Sequence, residues 1–448
     1  MLDVLSNVLD KDIKNFCLNT GTMLDIASGR FYPGYDGKMY LDGGIFGVSS
    51  IIGYSETFKS AVGGSIFSKV LHNYPESNGI CYDTEFSIAD VQRINALNSN
   101  VENLVDRVYL CDKSDYNMVE FYDFIKEIVA EKRKKKKSLL VETPFINIKT
   151  GKRFLSLIPT IILIDSWSLM QSSQEQEIYD KGGLGDPKSN TAWMVDGNKK
   201  TIMMRQLPRL GNLAGIYFIP VAHLGGNIKL NPYEASKKDL QNMRASDSIK
   251  AAGSQFKYLS STCIETRKCN VLQDSTKKCL YPAQVSSNVE LNEVTVMLVK
   301  CKNNESGNMY SHVVSKSFGI QSVLEYFHLL KAMNLFGIDE EKKTMVCKMT
   351  PDKPFTRLTL RDKIAKDYEL ARGIELMGQL CYIRKFWTID KKIKNLTATR
   401  FVDEIKKSKK LDMNRVLNSK GTWNFSKKGK KDNREYMSIF DILTTIFD

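Results

Sequence analysis

The sequence lacks several features that mark particular classes of protein. Its nine cysteines form no C-x-x-C pair and it has only four histidines, which argues against a structural zinc site. The odd number of cysteines also argues against a disulfide framework, so we expect free thiols in a reducing compartment. The longest apolar stretch, Phe154 to Ile164, contains Ser156 and Pro159 and is shorter than the ~20 residues that span a bilayer. No basic segment followed by an apolar one opens the chain, and we therefore expect a cytoplasmic protein with no membrane partner.

The composition is otherwise that of a globular protein with a basic surface. The 448 residues are 42% hydrophobic and 26% charged, which is enough material for two or three domains and a sizeable core. A net charge of +14 favours a polyanionic partner, although a basic solvated surface explains the same charge.

Hydrophobic patterning predicts an α/β fold with three parts. Apolar runs alternate with helical patterns from Gly43 to about Ile320, and their lack of internal alternation is typical of a mostly parallel sheet covered by helices. We place this core at residues 41–335, after an N-terminal segment (1–40) that starts with a short amphipathic helix and before a lysine-rich region (336–448). Strands are predicted at Ile45–Ile52, Gly79–Tyr82, Val108–Leu110, Thr160–Ile164, Ile216–Val221, Ser261–Glu265 and Val294–Val299.

Four further segments have distinctive local patterns. Gly29–Gly37 is rich in glycine, proline and tyrosine and is predicted to be a loop, and Leu360–Lys385 is predicted to be helical. The basic run Glu131–Lys137 is read as a solvated face, which is the commoner role of such runs. It opens an insertion at about 133–156, where β-branched residues flank Lys149–Lys152 and predict a hairpin.

A glycine-led loop follows the first predicted core strand and precedes a helical pattern from Ala61 to His72. This order builds a phosphate-binding loop, in which backbone N–H groups at the helix N-terminus face the anion. Lys59 would reach the outer phosphates and Ser60 would ligate Mg²⁺. Phe58 stands where the pattern G-x-x-x-x-G-K-[ST] has its second glycine. The loop residues are Gly53, Tyr54, Ser55, Glu56, Thr57, Phe58, Lys59 and Ser60.

Three other predicted strands are followed by polar residues that suit nucleotide chemistry. Glu85 follows Gly79–Tyr82 and could polarise a water molecule, while Asp165 ends an apolar strand in the manner of a Walker-B carboxylate. His223 follows Ile216–Val221 and could sense a γ-phosphate. A helix cap, an ordinary strand end and a structural histidine are the plainer explanations of these three residues.

Together these motifs resemble the RecA-type recombinases, and most closely their phage branch, the UvsX-like proteins. The resemblance spans roughly Gly43 to Ile320, and UvsX-like proteins carry the same Phe-Lys-Ser in place of Gly-Lys-Ser. It implies a RecA-like P-loop ATPase core with ATP and Mg²⁺ as cofactors. The matching segments are Gly53-Tyr-Ser-Glu-Thr-Phe-Lys-Ser60, Tyr74-Pro75 leading to Cys81-Tyr-Asp-Thr-Glu-Phe-Ser-Ile88, Ile164-Asp-Ser166 and Ile219-Pro-Val-Ala-His223.

The resemblance implies a role for each of these positions. Lys59 and Ser60 would hold the phosphates and the metal, Asp165 would complete the metal shell, Glu85 would be the catalytic base, and His223 would be the γ-phosphate sensor.

Three more residues correspond to family positions around the nucleotide. Lys300 and Lys302 resemble the paired basic residues that reach the nucleotide of the adjacent subunit, although two surface lysines at a strand end would look the same. Gln92 stands where the family has a tyrosine on the adenine, which leaves the base contact and the nucleotide preference open.

Two segments correspond to the DNA-binding loops of the family, although each could be an ordinary surface loop. The first loop is expected within Gln171–Asn198. The second is expected at Leu224–Gly253, where basic residues would neutralise phosphates. Its candidate DNA-binding residues are Lys229, Tyr233, Lys237, Lys238, Arg244 and Lys250.

The function implied by the resemblance is ATP-dependent DNA strand exchange in recombination, repair and recombination-dependent replication. The protein would be a DNA-dependent ATPase that forms helical filaments on single-stranded DNA, with the N-terminal segment contacting a neighbouring subunit. Duplex DNA, mediator proteins and single-strand-binding proteins would be its partners, in the host cytoplasm if a phage encodes it. A RecA-fold ring helicase is one alternative, disfavoured because only about forty residues precede the core. A non-hydrolysing DNA-binding filament scaffold is the other, for which Phe58 and Gln92 leave room.

Overall fold

The computed structural model describes residues 12–88, 90–98, 104–182, 189–226, 238–284, 286–425 and 434–447. In chain order its strands are β1 (Arg30–Pro33), β2 (Met39–Asp42), β3 (Ser49–Gly53), β4 (Asn78–Asp83), β5 (Val108–Asp112), β6 (Leu140–Ile146), β7 (Arg153–Leu157), β8 (Thr160–Asp165), β9 (Ile216–Gly226), β10 (Asp247–Ile249), β11 (Thr262–Val271), β12 (Leu291–Cys301), β13 (Met309–Ser315), β14 (Gly319–Ile320), β15 (Ile338–Glu341), β16 (Thr344–Cys347) and β17 (Thr350–Phe355).

The helices connect these strands and cover the faces of the main sheet. They are α1 (Met23–Ser28), α2 (Lys59–Asn73), α3 (Val91–Ala96), α4 (Met118–Lys134), α5 (Lys136–Leu139), α6 (Ser173–Gly182), α7 (Ser189–Ala214), α8 (Phe256–Leu259), α9 (Ser322–Ala332), α10 (Leu360–Lys366), α11 (Tyr368–Phe386), α12 (Lys391–Lys394), α13 (Ala398–Lys407), α14 (Met413–Leu417) and α15 (Ile439–Phe447). Short 3₁₀ turns lie at Val105–Arg107 and Trp167–Leu169.

Over the described residues, the main sheet has ten strands and is mostly parallel. Its order is β5-β4-β8-β9-β3-β11-β12-β13-β14, with β10 beside β9. Neighbouring strands from β5 through β11 run parallel, whereas β12, β13 and β14 continue the sheet antiparallel. This arrangement confirms the predicted α/β class.

The strand sequences are unbroken apolar runs because both faces of the sheet are buried under helices. In β8, Ile161 and Leu163 lie in one apolar cluster with side chains of α2. Ile162 and Ile164, which alternate with them, lie in a second cluster with side chains of α4 and α7. Successive residues of a strand point to opposite faces, so a strand covered on both sides needs apolar residues at every position.

The N-terminal part differs from the sequence prediction. The predicted loop at Gly29–Gly37 is wrong at Arg30–Pro33, which is strand β1 and pairs with β2 as an antiparallel hairpin. Gly34–Gly37 forms the turn of this hairpin, with Gly37 at a φ of +78°. Most of the predicted N-terminal helix lies outside the described residues. Its last positions are not helical, since Ile13 makes an isolated bridge to Leu155. The Ile45–Ile52 run is a strand only from Ser49.

The hairpin predicted around Lys149–Lys152 is confirmed as β6 and β7. The lysine run before it is not a uniformly solvated face. Lys132 is partly buried, and its Nζ donates to the carbonyl of Ile158 at 2.7 Å and to Oγ1 of Thr160 at 2.9 Å. This ammonium group therefore satisfies acceptors at the amino-terminal edge of the sheet, whereas the neighbouring Lys134 is exposed.

The C-terminal region closes back onto the N-terminal hairpin. After the sheet of β15, β16 and β17, the predicted helix at Leu360–Lys385 is present as α10 and α11. Trp423 is buried, and its Nε1 donates to the carbonyl of Leu41 at 2.9 Å. Tyr436 stacks on Tyr40 with ring centroids 4.3 Å apart. Among the described residues, none of the helices has the length and apolarity needed to cross a membrane.

Candidate functional site

The carboxyl ends of the parallel strands bring Gly53 and three polar residues into register. Gly53 at the end of β3 pairs with His223 in β9. Asp165 at the end of β8 pairs with Val221 of β9 on one side and with Asp83 of β4 on the other. Ligands of open α/β sheets bind outside this edge, and all four motifs predicted from the sequence lie there.

The loop from Gly53 to Ser60 is held by hydrogen bonds within itself and to β11. The Thr57 hydroxyl donates to the carbonyl of Tyr54 at 2.7 Å and lies 2.7 Å from the hydroxyl of Thr266. Gly53 is required here, because a Cβ on it would lie 2.1 Å from Oγ1 of Thr266. Lys59 is buried, and its Nζ donates to the carbonyl of Tyr54 at 2.7 Å. The side chain of Lys59, the first residue of α2, therefore folds back to the loop.

Phe58 has a left-handed backbone conformation, which glycine adopts more easily than other residues. It is the N-cap of α2, has φ 64° and ψ 23°, and makes no side-chain capping bond within the described part of the chain. Its ring is partly buried against the apolar cluster that contains α2, and the Lys316 ammonium lies 5.4 Å from its centroid. The aromatic ring therefore packs against the core. Among the described residues no side chain caps the first N–H groups of α2, so these groups suit an anion.

Phe58 gives a test of this backbone. We expect Phe58→Gly to be more stable than Phe58→Ala by about 1 kcal/mol, because both lose the ring but only alanine has a Cβ to strain at positive φ. Urea unfolding measures the difference. Phe124, inside helix α4, is the control position, where the glycine variant should be the less stable one. The same order at both positions would contradict the left-handed backbone at Phe58.

Asp165 is a buried carboxylate with unmet hydrogen-bonding capacity. It is 1% exposed, and neither of its oxygens has a hydrogen-bond partner among the described residues. Burial raises its pKa from 3.8 to about 7, and the carboxylates of Glu85 and Asp83 add to the rise, while the Ser60 side chain and the Lys59 charge oppose it. Burial likewise lowers the pKa of Lys59, against the attraction of Glu85 and Asp165. A buried carboxylate without a partner is suited to a cation.

The raised pKa of Asp165 predicts a pH-dependent cost of folding. Between pH 3.8 and about 7, the folded protein keeps a proton that the unfolded chain has released, so stability is highest below this window and falls as pH rises through it. In metal-free, nucleotide-free buffer, Asp165→Asn should gain stability over the wild type by at most about 1.4 kcal/mol per pH unit from pH 4 to 7. Urea unfolding at several pH values tests this. The exposed Asp123→Asn serves as the control, and a pH-independent effect of Asp165→Asn would be contrary to the prediction.

Glu85 and His223 form a hydrogen-bonded pair at the same edge. Nε2 of His223 lies 2.9 Å from Oε1 of Glu85, and both side chains are about one quarter exposed. The turn that presents Glu85 is shaped by Asp83, whose carboxylate accepts from the N–H groups of Glu85 and Ile88. Thr84 ties this turn to the β8 strand end, because its N–H donates to the Asp165 carbonyl at 2.7 Å. Asp83 and Thr84 were missed by the sequence analysis, although their places at the strand end were a signal.

The remaining nucleotide-site candidates have other hydrogen-bond partners or lie at the opposite edge of the sheet. Gln92 is exposed near the start of α3, where its N–H donates to Asp90. Lys300 pairs with Cys263 near the start of β11, at the opposite edge of the sheet from Gly53. Its Nζ donates to the carbonyls of Lys257 and Tyr258 at the end of α8. The five residues of β3 separate the two edges by about 13 Å, so Lys300 and the exposed Lys302 do not join the site of their own chain.

The segments predicted as DNA-binding loops are more ordered than expected. Within Gln171–Asn198 the structure describes α6 and the start of α7, and residues 183–188 between them lie outside the described residues, so the expected loop stays a prediction. In Leu224–Gly253, β9 continues to Gly226 and β10 returns beside it. Of the candidate residues, Lys238, Arg244 and Lys250 are exposed, and Lys229, Tyr233 and Lys237 lie outside the described residues.

A cavity of about 870 Å³ lies between these two segments. Neither Asp165, His223 nor the Lys59 loop lines it, but Ser168 on its wall accepts a hydrogen bond from the N–H of His223. Lys257 on its wall pairs with Asp239 at 2.8 Å. Its other charged lining residues are the basic Lys113, Lys200 and Arg205 and the acidic Glu175 and Asp196.

Comparison with known proteins assigns no family to this chain. No protein-family model matches the sequence, and no curated protein matches it either.

Proposed function

We propose that this protein is an ATP-dependent DNA strand-exchange protein of the RecA type, similar to the UvsX-like recombinases. The observation that carries the proposal is the meeting of Lys59, Asp165, Glu85 and His223 at one edge of the sheet. They come from four segments of the sequence, and electrostatic interactions join Lys59 with both Asp165 and Glu85. Such a set supplies the parts that phosphoryl transfer needs.

The residues present suit a magnesium nucleotide. The buried carboxylate of Asp165, whose oxygens have no hydrogen-bond partner of ordinary geometry among the described residues, and the Ser60 hydroxyl, which acts on it, would hold Mg²⁺. Lys59 and the N–H groups at the start of α2 would hold the phosphates. Bound Mg²⁺ would neutralise charge on the phosphate oxygens. Glu85 would accept a proton from the attacking water, and its bond to His223 would orient it. Lys300 and Lys302, on the opposite edge, would act on the nucleotide of a neighbouring subunit.

Basic residues in the cavity and in the segment around β10 support a nucleic-acid partner. Lys113 and Arg205 line the cavity between α7 and the segment that follows β10, and Lys238, Arg244 and Lys250 are exposed nearby. Cations that follow a groove bind a sugar-phosphate backbone with little sequence preference. Sequence specificity would then reside in base pairing between the DNA strands.

The test of this function measures ATP hydrolysis with and without single-stranded DNA and images the same samples by negative-stain electron microscopy. We expect hydrolysis that rises when DNA is added, together with helical filaments. Closed rings would contradict the proposal and favour a helicase. Filaments without hydrolysis would favour a DNA-binding scaffold.

A further inference from the structure

The backbone of His223 lies where strand β9 loses one of its neighbours. On one side, β3 pairs with β9 as far as His223. On the other, β8 ends at Asp165, opposite Val221, and the chain then turns into the Trp167–Leu169 turn. The outward N–H and carbonyl groups of His223 therefore need new partners.

Ser168 supplies the missing partner through its hydroxyl group. The N–H of His223 donates to Oγ of Ser168 at 3.0 Å, and the same hydroxyl donates to the carbonyl of Lys250 at 2.9 Å. The N–H of Lys250 donates to the carbonyl of His223 at 2.8 Å. These three bonds form a closed ring between the backbones of His223 and Lys250 and the hydroxyl of Ser168. The hydroxyl both accepts and donates, as a peptide group of a neighbouring strand would.

The peptide of Ser168 is fixed from a third element, helix α7. Nζ of Lys200 donates to the Ser168 carbonyl at 2.9 Å, and Lys200 is 2% exposed. Trp167 adds a second tie, because its indole N–H donates to the carbonyl of Ala252 at 2.9 Å. Ser168 thus touches α7, the segment after β10, and the strand that carries His223.

The same residues form part of the wall of the 870 Å³ cavity. Ser168 and Lys200 line it together with Ala251–Ser254. Its charged lining among the described residues is Lys113, Lys200, Arg205 and Lys257 against Glu175, Asp196 and Asp239, so cations exceed carboxylates by one. A strand of nucleic acid bound there would contact both elements that hold Ser168. A shift of either element would change the ring of hydrogen bonds and hence the backbone of His223, whose side chain meets Glu85.

We propose that Ser168 is a positioning residue that couples the Glu85–His223 pair to a sugar-phosphate backbone bound in this cavity. The inference rests on the proposed function, because it assumes that Glu85 serves ATP hydrolysis and that the cavity takes a single DNA strand. In this role the hydroxyl of Ser168 transmits the effect of bound DNA to the Glu85–His223 pair.

The test compares full-length wild type with Ser168→Ala, Ser168→Cys and Ser168→Thr in ATP hydrolysis with poly(dT) as the probe. Without a hydroxyl, the alanine and cysteine variants should lose about tenfold or more in DNA-stimulated kcat, with the KM for ATP within about threefold of wild type. Threonine keeps the hydroxyl and should restore kcat to within about threefold of wild type. Ser419→Ala, which removes a buried hydroxyl bonded to the Val416 carbonyl, is the matched control and should behave as wild type.

The outcomes separate this inference from the proposed function. If wild type fails to hydrolyse ATP with poly(dT), both fail. If wild type is stimulated and the alanine and cysteine variants keep its kcat, only the role of Ser168 is overturned. An equal loss in the threonine variant, or a rise in KM alone, would also overturn it. If alanine prevents folding, the comparison of cysteine with threonine decides, since both fill the site.

Discussion

Lys59→Ala is expected to reduce ATP hydrolysis by about 10²–10³-fold or to background, and to remove nucleotide-dependent filaments. The Lys59 ammonium is buried at the start of α2 and is bonded in the loop only to the carbonyl of Tyr54. It is therefore a cation close enough to Asp165 and Glu85 to interact with their charges. Loss of the charge would leave the phosphates with the helix N-terminus and the Mg²⁺ ion, and the helix N-terminus is worth much less than a desolvated charge.

The measurement for Lys59→Ala is steady-state hydrolysis together with negative-stain imaging with and without ATP. Lys343→Ala, at an exposed position between β15 and β16, is the control and should retain wild-type hydrolysis. Filaments that form with ATP in Lys59→Ala as in the wild type would refute the assignment of the Gly53–Ser60 loop to phosphate binding.

Glu85→Gln is expected to keep ATP-dependent filaments and to lose turnover. Glutamine preserves the size of the side chain and can still hydrogen-bond to His223, but it does not accept a proton from water. General-base catalysis contributes about 10²–10⁴-fold, so kcat should fall by that factor while ATP binding stays near the wild-type level.

Single-turnover hydrolysis, measured beside filament imaging, tests the role of Glu85. The exposed Glu340→Gln is the matched control. Unchanged turnover in Glu85→Gln would remove Glu85 from the role of base, and loss of filaments would show that its charge is needed for assembly instead.

The core of the fold could be predicted because both faces of the sheet are buried. Unbroken apolar runs such as Thr160–Ile164 are typical of such strands, and the polar residue that follows each run marks the strand end. The register then places Asp165 beside Asp83 and Gly53 beside His223. The common edge of the Gly53 loop, Glu85, Asp165 and His223 followed from this rule, since parallel strands end at a common edge, whereas the positions of Lys300 and Lys302 did not.

What the sequence analysis missed depends on contacts between distant residues. Ser168 bonds to the N–H of His223, 55 positions away, and nothing in its local sequence indicates this role. Trp423, between lysine-rich segments, is buried beside Tyr74 and Phe145. No local pattern separates a buried tryptophan from an exposed one.

The first DNA-binding loop was expected within the polar segment Gln171–Asn198 because this segment follows the Asp165 strand. The structure has α6 and α7 there, and the buried side chains of α7 that face the sheet, Met203, Met204, Leu207 and Leu210, follow the segment in sequence. A helix anchored by its later turns extends into a polar region whose own propensity is weak.

The central claim is that the edge formed by Lys59, Asp165 and Glu85 binds a magnesium nucleotide. Isothermal titration calorimetry of Glu85→Gln with ATP tests it most directly, because binding is then separated from hydrolysis. We expect one site per chain that requires Mg²⁺ and that weakens by about 10²-fold or more when Lys59→Ala is added. Binding of equal strength with and without Lys59, or no binding of ATP, would contradict the account.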